Sequence, residues 1–191
     1  VISDDIDDYN TFCVKHIRNL MRRFDIRTIV VDAGGGGLAI KEGLRDKTKF
    51  VSENDTLILD MDDENSMGLN GRHILKMIEF QNAEWRVNSH HGLRKDLLDM
   101  KVIFPNYDGA AIEANAAADK SKGKVFDTAE DCYFEIEQCK QETILIKHSR
   151  TVTGAEKWDV PKIVGVDAET IRKQLKRDRF TALLLANCGC R

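Results

Sequence analysis

The run Thr28-Ile-Val-Val-Asp32-Ala-Gly-Gly-Gly-Gly37 constrains what this chain can fold into more than any other segment. β-Branched residues favour a buried, pleated strand, and an acid followed by glycines ends one abruptly. We read a strand over 26–31, closed by Asp32, and a helix over 38–44. A helix is expected before it, because Cys13, Ile17, Leu20, Met21 and Phe24 recur at helical spacing, with Lys15, Arg18, Arg22 and Arg23 on the other side. Further strands are expected over 56–59 and 143–146, and the period of 74–80 is ambiguous. Helices are expected over 88–100, 110–118 and 180–186, an acidic loop over 60–71, and a loop from Gly154 to Pro161. Asp127 and Glu130 have capping-box spacing ahead of the apolar stripe Ala129, Cys132, Tyr133, Ile136 and Cys139. Helices alternating with short β-branched strands define an α/β class.

A length of 191 residues suits one domain, read here as 1–191. No apolar run is long enough to span a bilayer, and no signal peptide opens the chain. The chain begins at Val1 without an initiator Met, which suggests a fragment or a trimmed product. The formal net charge is -3, so affinity for nucleic acid must come from a local basic patch. The five cysteines are odd in number, and Cys188-x-Cys190 has no second ligand pair at zinc spacing. Free thiols in a reducing compartment are the better reading.

An acid at the end of a buried strand, opening onto glycines, can hold a divalent metal while the loop admits a phosphate backbone. Gly34, Gly36 and Ala39 also satisfy G-x-G-x-x-A, with Glu53 near the ribose-binding distance. Against that dinucleotide reading, Asp32 repels a pyrophosphate, and the strand follows a helix rather than opening a βαβ unit. Lys41 lacks the Ser or Thr that Walker spacing demands. Asp178 is expected at the start of an apolar helix, where the dipole favours its ionised form. Around it Arg172, Lys173, Lys176, Arg177 and Arg179 make a basic patch, and a carboxylate for metal beside cations for phosphate suits phosphodiester hydrolysis. Asp60, Asp62, Asp63 and Glu64 read as a solvated loop. His90 and His91 cannot share one helix face, and His16, His73 and His148 stand isolated.

Together these segments resemble the C-terminal nuclease domain of the large terminase subunit of tailed bacteriophages. Asp32-x-Gly-Gly-Gly-Gly37, between a strand and a short helix, is similar to that family's second acidic motif. Lys176-x-Asp178-Arg-Phe-x-Ala-Leu-Leu-Leu-Ala-Asn187 is similar to its third. Between them, Val102-Ile-Phe-Pro105, Asp127-Thr-Ala-Glu130, Glu135-Ile-Glu137, Lys140-Gln-Glu-Thr143, Thr153-Gly154 and Trp158-Asp-Val-Pro161 match its shorter motifs, over about 9–187. The resemblance implies an RNase H-like mixed sheet flanked by helices, here without its first strands. It also implies a Mg²⁺- or Mn²⁺-dependent endonuclease that cuts concatemeric viral DNA during packaging in the host cytoplasm. Asp32 and Asp178 are then the expected catalytic metal ligands, converging on a two-metal site. Lys173, Lys176, Arg177 and Arg179 would contact double-stranded DNA. The implied partners are the portal protein, the small terminase subunit and further copies of the chain, with no membrane. The family's first acid is expected upstream of Val1, as is its ATPase domain, and the acids Asp4, Asp5, Asp7 and Asp8 read as a solvated lead-in. Two rivals stand beside this reading: a nucleotide-binding domain using Gly34 to Ala39, and an inactive docking domain of the same motor.

Overall fold

A computed structural model describes residues 9–106, 108–123, 128–161 and 177–191. The chain divides into two compact units, one running to Asn88 together with Leu185–Arg191, the other spanning Ser89–Leu184.

The first unit is built on a three-stranded parallel sheet. Helix α1 (Tyr9–Arg23) precedes strand β1 (Ile29–Asp32), helix α2 (Gly37–Arg45), strand β2 (Ile58–Asp60) and strand β3 (Arg72–Ile78). The strand order is β1-β3-β2, so the strand formed last in sequence is central. β3 pairs Ile29 with Leu75 and Asp32 with Ile78 on one side, and Ile58 with Arg72 on the other. Burial on both faces removes the alternation that would have marked β3 as a strand, which is why its period was ambiguous.

On one face, Ile29 and Val31 pack against a core of Val14, Ile40, Leu44, Ile58 and Leu75 supplied by α1, α2 and the sheet. The opposite parity, Thr28 and Val30, meets the chain's C-terminal end: a Cβ on Gly189 would lie 2.8 Å from Val30 Cγ2. Helices therefore flank the sheet, and the class is α/β. Helices α1 and α2 approach closely because Gly43 has no side chain; a Cβ there would lie 2.7 Å from Val14 Cγ2.

Arg18 departs from the expected outward face of α1. It is 3% exposed, donates at 2.9 Å to the carbonyls of both Leu44 and Thr56, and its guanidinium lies 4.5 Å from the Phe50 ring centre. Leu44 belongs to the last turn of α2, so a buried cation satisfies a carbonyl that the helix itself leaves unpaired. Burial lowers the Arg18 pKa, with Asp55 and Asp46 opposing that shift.

Helix α3 (Ala83–Leu98) begins in the first unit and ends in the second. The second unit continues with α4 (Gly109–Ser121), α5 (Ala129–Leu145) and a hairpin of β4 (Lys147–Arg150) and β5 (Glu156–Asp159). Helix α6 (Asp178–Cys190) closes the described chain. Three expectations shift here. The capping box uses Thr128 and Asp131, each bonding the other's backbone N–H, while Asp127 lies outside the described residues. The expected strand over 143–146 is instead the end of α5 and its Ile146 cap, and the Thr143 hydroxyl, donating 2.7 Å back to Cys139 O, finds its acceptor within the helix. The expected loop from Gly154 to Pro161 contains β5, in register with β4 from Lys147↔Asp159 to Arg150↔Glu156.

Candidate functional site

Parallel strands point their carboxyl ends the same way, and in open α/β sheets ligands collect at that edge. In the first unit β1 ends there in Asp32 and β2 in Asp60. The two acids are used differently.

Asp32 Oδ1 accepts a 3.0 Å hydrogen bond from Gly34 N–H, and Oδ2 has no described donor. The turn that follows needs its glycines. Gly35 has φ +57°, and a Cβ on Gly37 would sit 1.8 Å from the Asp32 carbonyl oxygen. Helix α2 starts hard against the strand end, with Gly36 as an N-cap that offers no side chain. Its first bonds are Gly37 N–H to Gly34 O and Ile40 N–H to Gly36 O, leaving the N–H groups of Gly35, Gly36, Leu38 and Ala39 without described acceptors. Free N–H groups at a helix start favour an anionic oxygen. One open carboxylate oxygen therefore lies in the same short loop as an open set of donors.

Asp60 is buried at 5% exposure, against the expectation of a solvated loop. Lys41 of α2 donates to its Oδ2 at 2.7 Å and lies 3.3 Å from Asp63, which Arg45 also approaches at 3.6 Å. The hydrogen bond to Asp60 is the main cause raising Lys41 above its ordinary pKa, and that from Lys41 the main cause lowering Asp63. Asp62 and Glu64 are exposed, as expected. Lys41 thus engages Asp60 and Asp63, and Asp32 is the strand-end acid left open.

Asp178, at the first position of α6, belongs to the second unit, whereas Asp32 belongs to the first. Asp178 is exposed and forms no hydrogen bond or ion pair with a described residue. The N–H groups of the α6 start are taken by a different acid. Buried Glu142 of α5 accepts from Arg179 N–H at 2.8 Å and Phe180 N–H at 3.0 Å. The Arg179 side chain is held by Glu142 at 3.1 Å and by Glu135 at 2.5 and 2.9 Å, which raises its pKa further. Arg177 makes an exposed pair with Asp159 at 3.1 Å. Lys173 and Lys176, like Arg172 and the acids Asp4, Asp5, Asp7 and Asp8, lie outside the described residues.

Sequence reasoning missed one cluster in the second unit. Glu156 Oε2 lies 2.7 Å from His91 Nε2 and 3.3 Å from His148 Nε2, and the rings of His90, His91 and His148 all pack on Trp158. His91 lies 57 residues from His148 and 65 from Glu156, so no local signal joins α3 to the hairpin. Among the described residues, no three His, Cys, Asp or Glu side chains are grouped to hold a metal ion, and none of the helices is long and apolar enough to cross a membrane. No protein-family model, curated protein or solved structure matches the chain.

Proposed function

We propose that this chain is an RNase H-like nuclease domain of the large-terminase kind, cleaving double-stranded DNA with Mg²⁺ or Mn²⁺. The observation that carries the reading is the loop after β1, where Asp32 keeps an unbonded carboxylate oxygen beside the open N–H groups of α2. A hard divalent ion takes carboxylate oxygens, and a phosphodiester takes backbone donors. Asp32 and Asp178 fit as metal ligands because neither is engaged by a cation among the described residues, in contrast to Asp60 and Asp63. When bound, the ions would activate water and stabilise the departing 3′-oxygen. Asp32 would bind through its free oxygen, with the Gly34 N–H fixing the other. Gly35 and Gly36 would present N–H groups to a phosphate with no side chain of their own in the way. Arg177, in an exposed and exchangeable pair, is the described cation suited to a DNA phosphate; Arg179 is committed to Glu135 and Glu142.

The test is Mn²⁺ binding by calorimetry together with Mn²⁺-dependent plasmid cleavage, both measured on the chain extended upstream to include the first acid. Without that acid this chain should bind the ion weakly and cut little or not at all. Asp32→Asn and Asp178→Asn should each remove both while leaving the melting temperature in place. An extended parent that neither binds Mn²⁺ nor cuts, or Asp32→Asn and Asp178→Asn variants of it that still do both, would overturn the proposal.

One observation favours a second reading, a nucleotide-binding domain. β1 and β2 lie in one parallel sheet with α2 between them in the chain, so β1 does open a β-α-β succession, contrary to the objection raised from sequence. The same open N–H groups would then hold a nucleotide phosphate, with Asp32 opposing it by charge. Titration with NADH discriminates: binding retained in Asp32→Asn supports the nucleotide reading, and Mn²⁺ binding lost in it supports the nuclease.

A further inference from the structure

A cleft of about 410 Å³ opens within the second unit, well inside the range of small-molecule sites. Its walls come from separate stretches of chain: His90 and Arg94 from α3, His148 from β4, Trp158 from β5 and Phe180 from α6. The aromatic walls are held in place. His90 and Phe180 are 7% and 6% exposed, with ring centres 5.7 Å apart. Trp158 contacts His90 at 5.1 Å in a stacked arrangement and His148 at 4.5 Å in a tilted one. Glu156, which does not line the cleft, holds His148 from behind at 3.3 Å.

The polarity of the lining is one-sided. No acidic side chain is among the described residues that line the cleft, whereas Arg94 does line it, is exposed and makes no ion pair with a described residue. The charged groups on the neighbouring elements, Lys147, Arg150, Glu156, Lys157 and Asp159 of the hairpin and Glu142 of α5, lie outside the lining. An unpaired guanidinium at an apolar, aromatic cleft favours a flat ring whose charge is negative.

We infer that this cleft binds a planar aromatic ring carrying one anionic group, a carboxylate or a phosphate, with the ring against the Trp158–His148 wall and the anion on Arg94. The site shares no residue with the proposed nuclease machinery and stands or falls without it.

The chain has two tryptophans, Trp85 and Trp158, so their indole N–H resonances form a two-peak NMR readout, assigned with Trp85→Phe. Indole-3-acetate should shift the Trp158 peak and leave that of Trp85 in place. It should bind on the order of tenfold more tightly than neutral indole, with cationic tryptamine weakest, a gap equal to about 1.4 kcal/mol. In Arg94→Gln, an exposed substitution whose melting temperature should match the parent, that gap should close while indole affinity stays unchanged. Adenosine 5′-monophosphate separates the two sources of charge: tighter binding than indole-3-acetate assigns a phosphate ligand, and weaker binding assigns a carboxylate. Equal affinity for indole, indole-3-acetate and tryptamine, no shift of Trp158 with any of them, or an undiminished acetate preference in Arg94→Gln would overturn the inference.

Discussion

At the scale of single residues, the glycines after Asp32 are not interchangeable. A Cβ on Gly37 falls 1.8 Å from a backbone carbonyl oxygen, which cannot rotate away, whereas one on Gly36 falls 3.3 Å from the movable Asn10 side chain. Gly35 meets nothing within 4 Å but has φ +57°. Gly37→Ala should therefore cost about 3 kcal/mol or more by forced backbone displacement. Gly35→Ala should cost about 1–2 kcal/mol from its left-handed backbone alone, and Gly36→Ala less than either. Thermal or urea unfolding of the three variants checks the order; Gly37→Ala as mild as Gly36→Ala would contradict the close packing of α2 on β1. This loop was legible in the sequence because one short segment carries the whole signal, a β-branched run, an acid and glycines. Arg18 was not, because helical periodicity sorts residues by polarity and places any cation outside. The carbonyls of Leu44 and Thr56 and the Phe50 ring, all distant in sequence, explain its burial.

At the scale of elements, charge joins pieces that the sequence shows as separate. Lys41 joins α2 to the end of β2 through Asp60 and Asp63, and this tie has a defined pH range. Asp63 is held below its ordinary 3.8, so its contribution is present above that value and is lost as pH falls through the depressed pKa. Lys41 is held above its ordinary 10.5, so its contribution is complete below that value and is lost as pH rises through the elevated one. Lys41→Met should lower the melting temperature throughout the interval between. The gap from the parent should narrow at both ends, and a gap constant from pH 3 to pH 11 would show that the loss is packing and not charge. The acidic loop read as solvated because four acids in five residues look self-repelling, and their counter-cation lies on the preceding helix. Glu142 makes the same point in the second unit: it sits in the last turn of α5 yet accepts from the backbone at the start of α6, 37 residues on. The end of α5 was misread because Thr143-Ile-Leu-Ile has strand composition, while its first three residues continue the helix that starts at Ala129 and Ile146 caps it.

At the scale of the whole molecule, the question is how a chain of net charge -3 could hold DNA. Part of its positive charge is spent on its own acids. Lys41 and Arg45 serve the acidic loop, Lys140 pairs with Glu137 at 2.6 Å, and Arg179 joins two glutamates, while Arg18 is buried. The sequence shows a basic patch around Asp178, but composition cannot reveal which of its members already have partners. Arg177 and Arg179 are therefore expected to separate experimentally. The Arg177–Asp159 pair is exposed, and such pairs contribute about 0–1 kcal/mol, so a phosphate can replace the carboxylate. Arg177→Ala should weaken DNA binding equally for unrelated sequences and flatten its dependence on log salt by about one unit, with the melting temperature unchanged. Arg179→Ala should instead remove hydrogen bonds to two carboxylates, one of them buried, and cost about 2 kcal/mol of stability. That loss corresponds to a melting temperature lower by roughly 4–8 °C in a chain of this size. Its DNA salt dependence should match the parent's at temperatures where both are folded. A steeper loss of DNA affinity in Arg179→Ala than in Arg177→Ala, with both proteins folded, would show that the guanidinium leaves Glu135 and Glu142 for phosphate and would reverse these assignments.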